Sequence, residues 1–211
     1  MGCAAHSSMI DINRSALILI DVQNDFCPGG SLAIDKGNEV IEPLNRLSTV
    51  FSAHGGLVVA TQDWHPLGHS SFKASGGPWP EHCVQGSYGA FLHARLNQSP
   101  ISGIFRKGFR KTIDSYSAFF ENDQETATRL ESFLKQSGCS IDTVILGGLA
   151  TDYCVLFSAL DGIRLKFNTI VLEDATKGVD YPKGSIDCAF QTMHEAGVHF
   201  STVDVLIAKG F

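Results

Sequence analysis

The sequence predicts a single-domain α/β protein of three layers, αβα, with helices on both faces of a largely parallel sheet. Short apolar runs of strand length recur along the 211 residues, and segments of helical periodicity alternate with them. No internal repeat or linker divides the chain, and a chain of this length can bury roughly 70% of its unfolded surface in one core. Residues 1–13 are expected to be a flexible leader and 14–211 the domain. The opening MGCAAHSS offers Gly2 and Cys3 for acylation, but His6 stands where such a signal wants Ser or Thr, so lipid anchoring is not expected.

Residues 16–22 (ALILIDV) form an apolar run broken by Asp21, the pattern of a strand buried on both faces. Residues 39–51 carry Val40, Ile41, Leu44, Leu47 and Phe51 at helical spacing, with Gly55-Gly56 shortly beyond. Residues 57–61 (LVVAT) are a second short strand. Residues 62–102, rich in Gly, Pro, His and Ser, are too long for an idle connection and are expected to serve function. A third strand is predicted at 103–107 and a helix at 125–136, with Leu130, Phe133 and Leu134 inward and Gly138 closing it.

The fourth strand, residues 143–149, runs into Gly147-Gly148. Thr151-Asp152 then read as the N-cap of a helix that carries Cys154 in its first turn. A fifth strand at 168–172, a helix at 185–196 and a last strand at 198–201 complete the alternation.

The formal net charge of −6 argues against nucleic acid and against an anionic membrane surface. No apolar run approaches the ~20 residues of a membrane span, which leaves a small molecule as the expected partner. Six cysteines at 3, 27, 83, 139, 154 and 188 form no CxxC pair and follow no signal peptide, so they read as reduced thiols of a cytoplasmic protein. The sequence leaves homo-oligomer formation open.

In a parallel sheet ligands bind beyond the carboxyl ends of the strands, and there the sequence places Asp21, Asp63, Lys107 and Cys154. Each alone has a bland reading as a cap, a surface cation or a buried thiol. Together an acid, an ammonium and a thiol compose an acyl-transfer site: Asp21 takes the thiol proton, Lys107 favours the thiolate, and the N–H groups of Ala150 and Cys154 form the oxyanion hole. The helix start is expected to ease ionisation of Cys154.

Asp63 and His65, on one face of extended chain, form a second constellation with His82. Two imidazoles and a carboxylate suit one divalent ion, Zn, Fe or Mn, with positions left open for water or substrate. His69 is near enough in sequence to be a weak ligand or to act behind the ligands.

These residues, in this order, closely resemble the nicotinamidases, also pyrazinamidases, of the isochorismatase-like cysteine hydrolases. The matching stretches are residues 21–32 (DVQNDFCPGGSL), 61–66 (TQDWHP) with 69–72 (HSSF), 77–84 (GPWPEHCV), 106–108 (RKG) and 148–155 (GLATDYCV). The likeness spans about residues 16–205. It implies a triad of Asp21, Lys107 and Cys154, a metal held by Asp63, His65 and His82, and a cis peptide at Leu149-Ala150. It further implies that Phe26, Trp79 and Tyr116 enclose a pyridine ring whose nitrogen approaches the metal, which is expected to be zinc.

The activity implied is hydrolysis of nicotinamide, and of pyrazinamide, to the acid and ammonia through a thioester, in NAD salvage. Tyr153 stands where some relatives have His, and His69 where only some have a ligand. Three rival readings are a vinyl ether hydrolase of the same fold, an amidase of carbamoyl compounds, and a non-catalytic binding module with structural zinc. The first has no need of Cys154, the second is told apart by the metal set, and the third prefers four Cys or His ligands.

Overall fold

The computed structural model describes residues 10–136 and 140–210. Its centre is β1, Ser15–Ile20, every residue of which is buried. Alternate side chains of β1 enter two separate cores, Leu17 and Leu19 on one face and Ala16, Ile18 and Ile20 on the other. An uninterrupted apolar run is what such a doubly covered strand needs.

Around it lie α1 (Ile41–Ala53), β2 (Leu57–Asp63), β3 (Ile101–Lys107), α2 (Leu130–Gln136), β4 (Thr143–Leu149), α3 (Leu156–Arg164), β5 (Asn168–Lys177), α4 (Ser185–Glu195), β6 (His199–Ser201) and α5 (Val203–Lys209). The strands form one six-stranded sheet in the order β3-β2-β1-β4-β5-β6. All five pairings are parallel. Leu44, Leu47 and Phe51 of α1 share one core with Val203 and Leu206 of α5. Leu130 and Leu134 of α2, Ala159 of α3, and Ala189 and Met193 of α4 fill the other. Three layers result, as the alternation predicts.

Several boundaries differ from those expected. The helix predicted over 125–136 begins only at Leu130. Before it, the Asp123 carboxylate accepts from the N–H groups of Glu125 and Thr126, and Glu121 N donates to Thr126 O, so local turns take the backbone groups a helix would use. Gly138, expected to close this helix, lies outside the described residues. β5 runs on to Lys177 past an irregularity in its pairing with β4. Helix α5 was not predicted, although Thr202 carries a signal for it, its side chain accepting from Val205 N as an N-cap.

Of the expected leader, residues 1–9, with the near-acylation motif, lie outside the described residues. Its last residues belong instead to the packed body: Ile12 is buried in a 3₁₀ turn, Ile12–Arg14. Cys27, Cys83, Cys154 and Cys188 are free thiols, while Cys3 and Cys139 lie outside the description. Among the described residues no helix is long and apolar enough to cross a membrane.

Candidate active site

The sheet order sets four chemically competent residues side by side at the carboxyl ends of adjacent strands. Lys107 ends β3, Asp63 ends β2 directly opposite it in register, Asp21 follows β1, and Cys154 follows β4. All four are buried.

Lys107 is the hub. Its Nζ lies 2.8 Å from Asp21 Oδ2 and 3.4 Å from Cys154 Sγ, pairs with Asp63 Oδ1, and donates to Ser115 O at 3.0 Å. Asp21 sits at φ 45°, a region non-glycine residues seldom occupy outside constrained sites. Thr61 fixes it there, donating through Oγ1 to Asp21 Oδ1 at 2.6 Å and accepting from Asp21 N. Asp21 Oδ2, near the ammonium but without an aligned hydrogen bond, is open to receive a proton. A carboxylate oxygen of Asp21 and the Cys154 sulfur lie within 4.8 Å of each other.

Burial governs the protonation of this group. Burial raises the Asp21 carboxyl above the ordinary carboxylate value, although Lys107 opposes it. Burial alone would lower Lys107, but Asp21 and then Asp63 hold it well above its ordinary value, so it acts as a fixed cation and not as a base. Burial likewise pushes the Cys154 thiol well above its ordinary value, with Lys107 opposing and Asp21 and Asp63 adding to the rise. Desolvation beside two carboxylates thus works against the easy ionisation expected from a helix start.

The local backbone also differs from the predicted cap. Thr151–Val155 is a wide π-type turn, with Val155 N donating to Ala150 O, and α3 begins only at Leu156. Neither Thr151 nor Asp152 caps it. Thr151 Oγ1 pairs with Thr176 Oγ1, and Asp152 reaches across to the residues that follow β5. The peptide between Leu149 and Ala150 is cis. Ala150 and Cys154 face the same pocket.

Asp63, His65 and His82 offer ligand atoms within 4.8 Å of one another. His65 Nδ1 donates to Gly108 O at 2.9 Å and His82 Nδ1 to Pro80 O at 2.8 Å, because a carbonyl can only accept. Both rings are thereby set with Nε2 as the lone-pair nitrogen, 3.6 Å and 3.9 Å from Asp63 Oδ2. His65 Nε2 is buried without a hydrogen-bond partner.

Two carbonyl-oriented imidazoles and a carboxylate aimed at one point fit a divalent cation. The charges agree. Two carboxylates and one ammonium leave this buried group one negative charge in excess, an uncompensated charge that a dication would reverse. Burial would raise Asp63, but the Lys107 ammonium holds it below the ordinary carboxylate value. His69 stands apart from this set: Nδ1 bonds Ser71 Oγ at 2.7 Å and Nε2 bonds Ile113 O at 3.0 Å, while its ring stacks on His65 at 4.2 Å.

A cavity that Cys154 and His82 both line is walled by Phe26, Trp79, Tyr116, Tyr153 and Val179. Trp79 Nε1 donates to Tyr116 Oη at 3.0 Å, and Trp79 meets the Tyr153 ring edge-on at 4.8 Å. Tyr153 is thus part of the wall itself. Cys154 and Ala150 line this cavity together with Asp63 and His82 of the metal-ligating set, while Lys107 and Asp21 stand behind the sulfur.

Residues 15–205 match the family described as Isochorismatase domain. The chain belongs to the isochorismatase family. It is 40% identical over 203 residues to the nicotinamidase of Escherichia coli, covering 89% of this chain and 94% of that one. Its fold is similar to PnC1 of L. infantum, solved in complex with nicotinate, with a TM-score of 0.85, 38% identity and coverage of 93% and 96%. It is similar also to the pyrazinamidase of Pyrococcus horikoshii, solved in complex with zinc, with a TM-score of 0.79, 35% identity and coverage of 90% and 99%. Within the family the chain falls among the amide C–N hydrolases named nicotinamidases.

Sequence reasoning missed the residues that hold this isochorismatase-family site in shape. Gln23 grips the end of β2 from both sides, Nε2 donating to Asp63 O and Oε1 accepting from Asp63 N, each at 2.9 Å. Gly108 allows the chain to pass the metal-ligating ring: φ is +63°, and a Cβ there would lie 2.4 Å from His65. Gln23 stands two residues after Asp21, and Gly108 directly follows Lys107. Both also fall within the stretches 21–32 and 106–108 that match the family, so adjacency and that match were the signals available.

Proposed function

We propose that the protein hydrolyses nicotinamide to nicotinate and ammonia through a thioester on Cys154, and that it accepts pyrazinamide. The observation that carries this reading is Lys107 Nζ in contact with Asp21, Asp63 and Cys154 at once, beside an aromatic-walled cavity that Cys154, Asp63 and His82 all line. The E. coli relative and the nicotinate and zinc complexes support it.

The chain's own groups account for each proton. With the amide seated, the thiol passes its proton to Asp21 Oδ2, and Lys107 balances the thiolate. Sulfur attacks the carbonyl carbon, and the developing oxyanion is received by the N–H groups of Ala150 and Cys154, each such donor being worth about 3 kcal/mol of barrier. Protonated Asp21 gives its proton to the departing nitrogen, which leaves as ammonia. Water then attacks the thioester, Asp21 takes a proton from it, and the carboxylic product departs as the sulfur regains its proton.

Phe26, Trp79, Tyr116 and Tyr153 enclose the ring and exclude bulk water. Asp63, His65 and His82 would hold one zinc ion, which when bound supplies a Lewis-acid partner for the ring nitrogen and a place for water. The product would feed pyridine nucleotide synthesis in the cytoplasm. Ammonia release from nicotinamide by the zinc-loaded protein and by Cys154→Ala tests the reading: turnover only in the former is expected, and turnover at a near-normal rate in the variant would refute it.

A further inference from the structure

The carboxylate of Asp152 has a task that its place beside Cys154 does not announce. Asp152 is buried, and none of its partners lies in its own helix. Oδ1 accepts from Val179 N at 2.9 Å, and Oδ2 accepts from Asp180 N at 2.9 Å and from the hydroxyl of Ser185. Ser185 is the first residue of α4, so through its hydroxyl the carboxylate is tied to the start of a helix other than its own, the end where the helix dipole favours negative charge.

The fit is close. A Cβ at Gly178 would come within 3.0 Å of Asp152 Oδ1 and 2.4 Å of Ile186. The next residue, Tyr153, donates through its hydroxyl to Tyr181 O. Residues 178–185 are therefore fastened at two successive positions of the turn that bears the nucleophile. Val179, the residue held most directly, lines the pocket.

We infer that Asp152 is a positioning residue that sets affinity for the ring-bearing amide by holding residues 178–185 as one wall of the pocket. This rests on the nicotinamidase reading above. Asp152 touches none of Asp21, Lys107 or the metal ligands through a hydrogen bond, so its loss should fall on substrate binding and leave the chemical step intact.

The test uses the zinc-loaded full chain in four forms: wild type, Asp152→Asn, Ser185→Ala and Ser185→Thr. Asp152→Asn turns one acceptor oxygen into a donor facing a backbone N–H. It is expected to raise KM for nicotinamide about tenfold with kcat within about twofold. Ser185→Ala should raise KM about threefold, and Ser185→Thr, which keeps the hydroxyl, should restore it.

Amide hydrogen exchange at Val179 and Asp180, read without substrate, should quicken in Asp152→Asn and Ser185→Ala. An unchanged KM in both variants despite faster exchange overturns the inference, as does a fall in kcat at constant KM. If Asp152→Asn does not fold, the Ser185 pair decides alone. Failure of the wild type to release ammonia from nicotinamide overturns the substrate reading, while slow exchange unaltered by the variants would overturn the clamp itself.

Discussion

The two sides of the pocket are built by different means. On the sulfur side Asp21, Lys107 and Cys154 come from the ends of β1, β3 and β4, so the spacing of a parallel sheet positions them and short bonds such as Thr61 to Asp21 only trim the geometry. On the imidazole side His65 and His82 belong to a long irregular segment, placed by an isolated bridge between His65 and Val84 and by the carbonyls of Gly108 and Pro80. A sheet supplies distance and direction together. A loop needs each ligand to be held by its own partner. Asp63 and Lys107, opposite one another in register, join the two sides.

By this division, substitutions on the sulfur side should remove rate and those on the imidazole side should remove metal and affinity. Cys154→Ala should lower kcat by about 10⁴-fold or more while nicotinamide still binds, read by ammonia release and calorimetry. Lys107→Ala should fail on both counts, because it strands two buried carboxylates: kcat falls by about 10³-fold, and chemical denaturation should show about 3–5 kcal/mol of lost stability. His82→Ala should lose zinc, read by elemental analysis, and raise KM strongly; unchanged metal content would contradict the ligand set. Gly108→Ala, which drives a methyl group against the His65 ring, should weaken zinc binding by about 10–100-fold with a smaller loss of kcat in zinc-saturated protein.

The pH profile sharpens the same contrast. Asp21 must be ionised to take the thiol proton, and burial raises its value, so kcat/KM should fall with falling pH through a limb above the range of an exposed carboxylate. A limb within that ordinary range would show that another group is the base.

The strand-end residues were legible because alternation of strands and helices fixes which ends share an edge, and Asp21, Asp63 and Lys107 stand at the ends of predicted strands while Cys154 lies in the first turn after one. The metal residues were legible as a D-x-H pair, yet the carbonyls that fix both tautomers carry no side-chain signature. The ion pair between Lys107 and Asp63 depends on the register of β2 against β3, which no residue pattern records. Asp152 reads as a helix cap because the signal is local, whereas its partners lie 27 to 33 positions away. Desolvation, the cause of the raised Cys154 thiol, belongs to the folded surroundings and not to the turn that holds it.

Through Lys107 the sulfur and the metal-ligating set should act as one electrostatic unit. The most direct measurement is the pH dependence of Cys154 alkylation by iodoacetamide, followed by peptide mass to separate it from exposed Cys188, in zinc-loaded and in chelated protein. Restoring a dication beside Asp63 should move the alkylation midpoint to lower pH and speed the reaction at neutral pH by about tenfold or more. Identical profiles with and without zinc would contradict the coupling.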